Sequence, residues 1–174
     1  MLRILTKIQR TGILTEALAP SDEPALHDVG ARLKTAVGEM FGGSLSIREV
    51  DAGSCNGCEL EIHALNNPYY GIERFGVNFV ASPRHADMLL VTGPVSRHMQ
   101  AALLRTYEAT PDPKLVIAVG ECGANGGEFG VSYASCGAVS NVIPVDAVIR
   151  GCPPAPLDLM RGILEAIRKR AHKK

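Results

Sequence analysis

The 174-residue chain is long enough for one α/β domain, and its 46% hydrophobic and 5% aromatic content is typical of a globular protein. Lysine and arginine total 18 and aspartate and glutamate total 18, so the overall charge does not favour binding to nucleic acid. No stretch approaches the roughly 18–20 uninterrupted apolar residues of a membrane span, and the start of the chain lacks the apolar core of a secretory signal. We therefore expect any membrane association to go through partners.

The N-terminal segment shows little periodicity and holds Pro20 and Pro24, which indicates an arm or extension rather than part of the core. Its apolar residues are many for a free tail. We therefore predict that residues 1–24 contact partner subunits and that residues 25–174 form a single domain. From about residue 25 to residue 41, apolar side chains recur at helical spacing, and two glycines then end the run as a helix C-cap does.

After this helix, short apolar strands alternate with helical stretches. Strands are predicted at residues 45–50, 87–92, 115–119 and 147–149, and helices at residues 59–66, 96–108 and 157–170. Continuous apolar strands separated by helices favour an α/β fold with a parallel sheet and helices on both faces.

Three of the four predicted strands run into glycine- or proline-rich loops that hold the cysteines Cys55, Cys58, Cys122 and Cys152. The C-terminal ends of parallel strands lie along one edge of a sheet, where ligand sites gather, so we expect the four thiols to converge. A cubane iron–sulfur cluster needs four thiolates, and glycines beside the ligands let the backbone approach closely.

Other interpretations of the cysteines stay open from the residues alone. The Cys-x-x-Cys pair of Cys55 and Cys58 is also typical of a thioredoxin-like dithiol, although that leaves the other two thiols without a role. Four thiolates can also hold structural zinc, although zinc sites usually combine two close Cys-x-x-Cys pairs. Cys136 lies in a glycine- and serine-rich loop without this setting, and we expect it to be buried outside the site.

Polar residues begin the predicted helix after Cys58. Glu59, Glu61 and His63 lie there, and carboxylates are common at helix N-termini because they stabilise the unpaired amides, so helix capping is one interpretation. The chain lacks Gly-x-Gly-x-x-Gly spacing, a Gly-Lys-Ser/Thr loop and a serine hydrolase motif, so neither a nucleotide site nor hydrolysis is favoured.

Several segments, in the same order, resemble the family shared by the 20 kDa subunit of respiratory complex I and the small subunits of [NiFe]-hydrogenases. They are ERFG at 73–76, ASPRHAD at 81–87, GEC at 120–122, NGG at 125–127, IPVD at 143–146 and GCPP at 151–154. The resemblance implies a flavodoxin-like fold with one [4Fe-4S] cluster at the C-terminal strand ends. Its ligands would be Cys55, Cys58, Cys122 and Cys152.

One departure separates the branches of this family. Complex I subunits carry two adjacent cysteines at the first ligand position, whereas hydrogenase small subunits carry Cys-x-x-Cys, as Cys55 and Cys58 do here. We expect neither a twin-arginine leader nor further clusters. The chain is therefore most similar to the small subunits of membrane-bound, energy-converting hydrogenases of the formate hydrogenlyase and hydrogenase-4 type.

This resemblance implies a non-catalytic electron-transfer subunit on the cytoplasmic side of the inner membrane, held there by partner subunits. The implied partners are a hydrogenase large subunit, a ferredoxin-like iron–sulfur subunit and membrane subunits. One alternative is a complex I-type subunit that works with a 49 kDa-like subunit and passes electrons to a quinone, and another is a structural zinc module. Related complex I subunits carry a glutamate three residues after their second cysteine, which implies proton coupling at Glu61 as an alternative to capping.

Overall fold

The computed structural model describes residues 2–12 and 23–171. Within them lie the helices α1 (Leu2–Thr11), α2 (Glu23–Phe41), α3 (Gly57–Ala64), α4 (Arg97–Ala109), α5 (Gly120–Asn125) and α6 (Pro156–Ala171). The strands are β1 (Leu45–Asp51), β2 (Val77–Phe79), β3 (Met88–Thr92), β4 (Val95–Ser96), β5 (Leu115–Val119), β6 (Ser135–Gly137) and β7 (Ala147–Ile149). Every predicted strand and helix is present, with boundaries that differ by at most about two residues.

Five strands form one parallel sheet in the order β2-β1-β3-β5-β7, and β4 pairs with β6 in a separate antiparallel ribbon. Counted among the five alone, this order is 2-1-3-4-5, the flavodoxin-like order. The predicted α/β class and fold are therefore confirmed. The edge strand β2 was not predicted because its Val-Asn-Phe segment lacks the continuous apolar run by which the other strands of this sheet were recognised.

Helices cover both faces of the sheet, as predicted. On one face, α2 and α6 contribute Leu33, Val37 and Ile163 to the larger core, and on the other, Leu103 of α4 packs in a second core. The central strands β3 and β5 are buried along their whole length because both of their faces are covered.

Two aspartates complete the N-terminal edge of the sheet. Asp87 accepts a hydrogen bond from the Ser46 amide at 3.0 Å, and Asp146 accepts one from the Val116 amide at 2.8 Å. Each carboxylate satisfies a strand amide that lies beyond the parallel ladder. The ASPRHAD and IPVD segments therefore position strands at the edge opposite the cysteines.

Residues 2–11 of the predicted N-terminal arm form the helix α1, which was not predicted, and none of its residues is buried. The helix ends at Gly12, whose amide donates to the Ile8 carbonyl at 3.0 Å with Gly12 in the left-handed conformation. The rest of the predicted arm, residues 13–22, lies outside the described residues. Across residues 2–12 and 23–171, no helix is long and apolar enough to cross a bilayer.

Candidate metal centre

The end of β1 positions the first two cysteines. Asp51 accepts hydrogen bonds from the amides of Gly53 at 2.8 Å and Ser54 at 2.9 Å, which turns the chain sharply after the strand. Cys55 follows this turn, and Cys58 lies in the first turn of α3. Both thiols are therefore held at the C-terminal edge of the sheet.

Cys122 and Cys152 reach the same edge from β5 and β7. Cys122 lies in the short helix α5, so the prediction that it sits in a loop is wrong. The Glu121 amide donates to the Gly151 carbonyl at 3.0 Å, and Arg150 forms a 2.9 Å ion pair with the Glu121 carboxylate. These two contacts tie the segments that carry Cys122 and Cys152 together.

Two glycines allow the backbone to lie directly against the thiols. A β-carbon at Gly120 would lie 2.7 Å from the Cys58 sulfur, and one at Gly127 would lie 2.7 Å from the Cys122 sulfur. Both glycines have positive φ, +78° and +55°, which other residues rarely adopt. The contact at Gly120 brings the end of β5 against the first turn of α3.

The surroundings of Cys58 and Cys122 shift the pKa values of both thiols. Burial is the main cause that raises the pKa of Cys58 to about 12; the Glu59 charge contributes next, followed by Cys55, Cys122 and Cys152. Burial also raises the pKa of Cys122, with further contributions from Cys152 and Cys55. At neutral pH the thiols of Cys58 and Cys122 are therefore protonated, and a bound metal would have to displace their protons.

Cys136 lies apart from this group. It belongs to β6, is buried as predicted, and its sulfur contacts the Gln100 side-chain oxygen at 3.4 Å. It packs in the second core and does not contribute to the pKa shifts of Cys58 and Cys122. All five cysteines are free thiols.

Glu59, a candidate capping residue in the sequence, is buried in the structure. Its side chain is only 5% exposed, and neither carboxylate oxygen has a hydrogen-bond partner among the described residues. It therefore does not cap α3, and the N-cap Asn56 makes no side-chain capping bond either. The available signal was its spacing of three residues from Ile62, which places both side chains on the buried face of the helix.

The other polar residues of α3 have different surroundings. His63 is exposed and lies 3.9 Å from Glu49 of β1, whose pKa is raised mainly by burial and further by Glu59, while His63 opposes the shift. Glu61 is half-buried and has no hydrogen bond or ion pair within the described part of the chain.

The donor set fits a thiolate-bound metal centre. Four thiols are the soft ligands that zinc and iron–sulfur clusters take, and the glycines beside Cys58 and Cys122 leave room against their sulfurs. Within residues 2–12 and 23–171, no three His, Cys, Asp or Glu side chains are grouped closely enough to hold a metal ion. The fit therefore rests on the chemistry of the donor set and on its placement at strand ends of one parallel sheet.

The sequence pattern of the NADH ubiquinone oxidoreductase 20 kDa subunit matches residues 55–166, a segment that contains all four cysteines. The chain belongs to this family. The family predicted from the motifs is thereby confirmed.

Similar members of the 20 kDa subunit family come from several oxidoreductases. The probable membrane-bound hydrogenase subunit mbhJ of Pyrococcus furiosus is 46% identical over 133 residues, which are 76% of this chain and 80% of the relative. Formate hydrogenlyase subunit 7 of Escherichia coli is 43% identical over 79% of this chain, and the match spans 54% of that relative. A subunit of the NADH-quinone oxidoreductase of Carboxydothermus hydrogenoformans is 43% identical over 64% of this chain and 68% of its own length. The prediction of an oxidoreductase subunit is confirmed at this level.

A solved structure of the membrane-bound sulfane sulfur reductase, an archaeal respiratory membrane complex, contains a similar fold. The alignment has a TM-score of 0.63 and 36% identity, and covers 83% of this chain and 76% of the other. The parallel sheet with surrounding helices is therefore shared with a subunit of a membrane-associated redox complex.

Proposed function

We propose that this chain binds one [4Fe-4S] cluster through Cys55, Cys58, Cys122 and Cys152. We further propose that it relays electrons between a ferredoxin-like iron–sulfur subunit and the active site of a [NiFe]-hydrogenase large subunit. Membrane subunits would complete the complex, and this chain would lie peripherally on the cytoplasmic side of the inner membrane.

The placement of four cysteines at three strand ends of one parallel sheet carries this proposal. The pKa of Cys58 is raised in part by the other three thiols, and that of Cys122 in part by Cys152 and Cys55, which agrees with this placement. A dithiol would need only Cys55 and Cys58. Glycine at positions 120 and 127 lets the backbone lie against the sulfurs of Cys58 and Cys122, as it does around cluster ligands.

The residues around the cysteines would have different roles at this site. The bound group would supply one-electron redox chemistry. Cys58 and Cys122 are half-buried, while Cys55 and Cys152 are exposed toward the surface where a partner would dock. The Arg150–Glu121 ion pair and the Glu121–Gly151 hydrogen bond fix the spacing of Cys122 and Cys152.

Two kinds of partner fit the chain. The Cys-x-x-Cys spacing and the similarity to hydrogenase subunits favour a nickel-containing large subunit. The comparable identity to a subunit of NADH-quinone oxidoreductase keeps a 49 kDa-like partner and a quinone acceptor as the second candidate.

The anaerobically purified complex distinguishes these candidates. Under hydrogen gas, a hydrogenase partner should reduce the cluster and produce its electron paramagnetic resonance signal, and nickel should be present in the complex. A complex without nickel, whose cluster is silent under hydrogen but is oxidised by added quinone, would assign the chain to the quinone branch instead.

We also propose Glu61 as a proton-coupling residue. It is half-buried on α3, three residues from Cys58, and its carboxylate has no ion pair or hydrogen bond within residues 2–12 and 23–171. A carboxylate near a site that gains negative charge binds its proton more tightly, so Glu61 would take up a proton as an electron arrives. If its role is structural only, this coupling is absent.

A further inference from the structure

Helix α1 presents an uncovered apolar face. Its apolar side chains are 61–82% exposed, and no residue of the helix is buried. Because side chains three or four positions apart lie on the same side of a helix, they form one stripe. The members of this apolar stripe are Leu2, Ile4, Leu5 and Ile8.

The opposite face of α1 is purely cationic. Arg3, Lys7 and Arg10 follow one another at spacings of four and three residues, and the helix contains no acidic residue. The long helices α2 and α6 differ, because exposed basic residues on them pair with acidic ones. Arg32 pairs with Asp28 on α2 at 3.1 Å, and Lys169 pairs with Glu165 on α6 at 2.8 Å.

We propose that α1 lies in the interface of an anionic phospholipid bilayer, with the apolar stripe toward the acyl chains and the cationic face among the phosphates. A helix with an apolar stripe and an exclusively basic charged face is the pattern of interfacial helices. At ten residues, α1 spans only about 15 Å and is too short to cross the bilayer. This inference does not depend on the cluster.

The competing occupant is a partner protein, which the sequence predicts for residues 1–24. A protein groove would have to offer an apolar surface to the stripe and negative charges to the three basic side chains at the same time. A bilayer rich in anionic lipid offers acyl chains to the apolar stripe and phosphates to the basic side chains without requiring a specific geometry. The charge complementarity of α1 therefore favours lipid.

The absence of tryptophan from the chain permits a site-specific probe. Leu5→Trp places one indole on the apolar stripe of the full-length protein, and Tyr133→Trp places one on a loop position that is 98% exposed. With vesicles of phosphatidylglycerol and phosphatidylcholine, the emission of Leu5→Trp should shift to the blue and be quenched by brominated acyl chains. Tyr133→Trp should change in neither respect, and pure phosphatidylcholine should produce a much weaker effect.

Charge variants test the cationic face. In the Leu5→Trp background, combined Arg3→Gln, Lys7→Gln and Arg10→Gln should weaken binding by roughly fivefold per residue, or about 100-fold in total. The matched control combines Lys34→Gln, Arg105→Gln and Arg168→Gln, which remove the same charge from exposed positions of α2, α4 and α6. The control should bind within about threefold of the parent.

Each remaining outcome overturns the proposal. Failure of the parent to bind anionic vesicles, or equal loss in both triple variants, would exclude a lipid-binding role for α1. If the α1 variants instead reduce co-purification with partner subunits while vesicle binding is unchanged, the occupant is a protein. The side chains changed in α1 are all exposed, so circular dichroism and thermal melting should show an unchanged fold.

Discussion

At the N-terminal edge of the parallel sheet, Asp87 and Asp146 each accept a hydrogen bond from a strand amide. At the C-terminal edge, the segments after the strands carry four free cysteines, and the buried carboxylate of Glu59 has no hydrogen-bond partner among the described residues. One edge is satisfied by the chain itself, whereas the other keeps four free thiols and an unpaired buried carboxylate. Motifs of the same family thus serve stability at one edge, and we propose that they serve cluster binding at the other.

The largest effect is expected from a substitution that places an atom beside the Cys58 sulfur. Gly120→Ala adds a β-carbon 2.7 Å from the Cys58 sulfur at a φ of +78°. Because both the overlap and the backbone conformation are unfavourable, we expect a loss of about 1–3 kcal/mol in the free energy of unfolding, together with loss of cluster binding. Urea denaturation and iron content measure the two effects.

Gly38→Ala is the matched control. Gly38 lies within α2, and a β-carbon there would meet no atom within 4 Å. The substitution should leave iron content unchanged and stabilise the protein by about 0.4–1 kcal/mol. Equal behaviour of the two alanine variants would mean that Gly120 has no special role at the site.

A substitution at the N-terminal edge of the sheet should lower the stability of the protein without changing its iron content. Asp146→Ala leaves the part-buried Val116 amide without its acceptor, so we expect a loss of about 1–3 kcal/mol in the free energy of unfolding. Iron bound per folded chain should stay the same. The control Asp28→Ala removes an exposed ion pair on α2 and should cost less than about 0.5 kcal/mol.

Glu49 offers a smaller, pH-dependent test. Burial raises the pKa of Glu49 above 4.5 in the folded state, so the folded protein binds the Glu49 proton more tightly than the unfolded chain does. The resulting stabilisation is present below pH 4.5 and is lost as the pH rises through the raised pKa. Glu49→Gln stays neutral, so its stability relative to the parent should increase between pH 4.5 and pH 7. A pH-independent difference in urea midpoints would contradict this, and exposed Glu108→Gln is the control.

The smallest expected effect concerns Glu61. Glu61→Gln should flatten the pH dependence of the cluster's midpoint potential, which full coupling to one proton would set at about 59 mV per pH unit. Iron content should not change. If redox titrations give the same slope for parent and variant, Glu61 is a structural residue only.

The sequence alone predicted the strands that form the core of the sheet and the edge of the sheet that carries the cysteines. Continuous apolar runs identified β3 and β5, and the topology of parallel strands then brought Cys55, Cys122 and Cys152 to one side. Helix α1 was missed because a ten-residue amphipathic pattern beside prolines resembles an irregular arm.

The burial of Glu59 could not be predicted in the same way. A carboxylate in the first turn of a helix usually caps it or faces solvent, and only tertiary packing decides otherwise. The contact of Gly120 with the Cys58 sulfur likewise depends on how α3 meets the end of β5, which sequence spacing does not encode.

The most direct test of the account is metal analysis of the anaerobically purified full-length protein and its cysteine variants. The account predicts about four iron atoms and about four acid-labile sulfides per chain, with an electron paramagnetic resonance signal on reduction. Cys122→Ser should abolish the signal, whereas Cys136→Ser, which changes a thiol buried in the second core, should retain it. One zinc per chain without labile sulfide, or a signal lost in Cys136→Ser and kept in Cys122→Ser, would contradict the assignment.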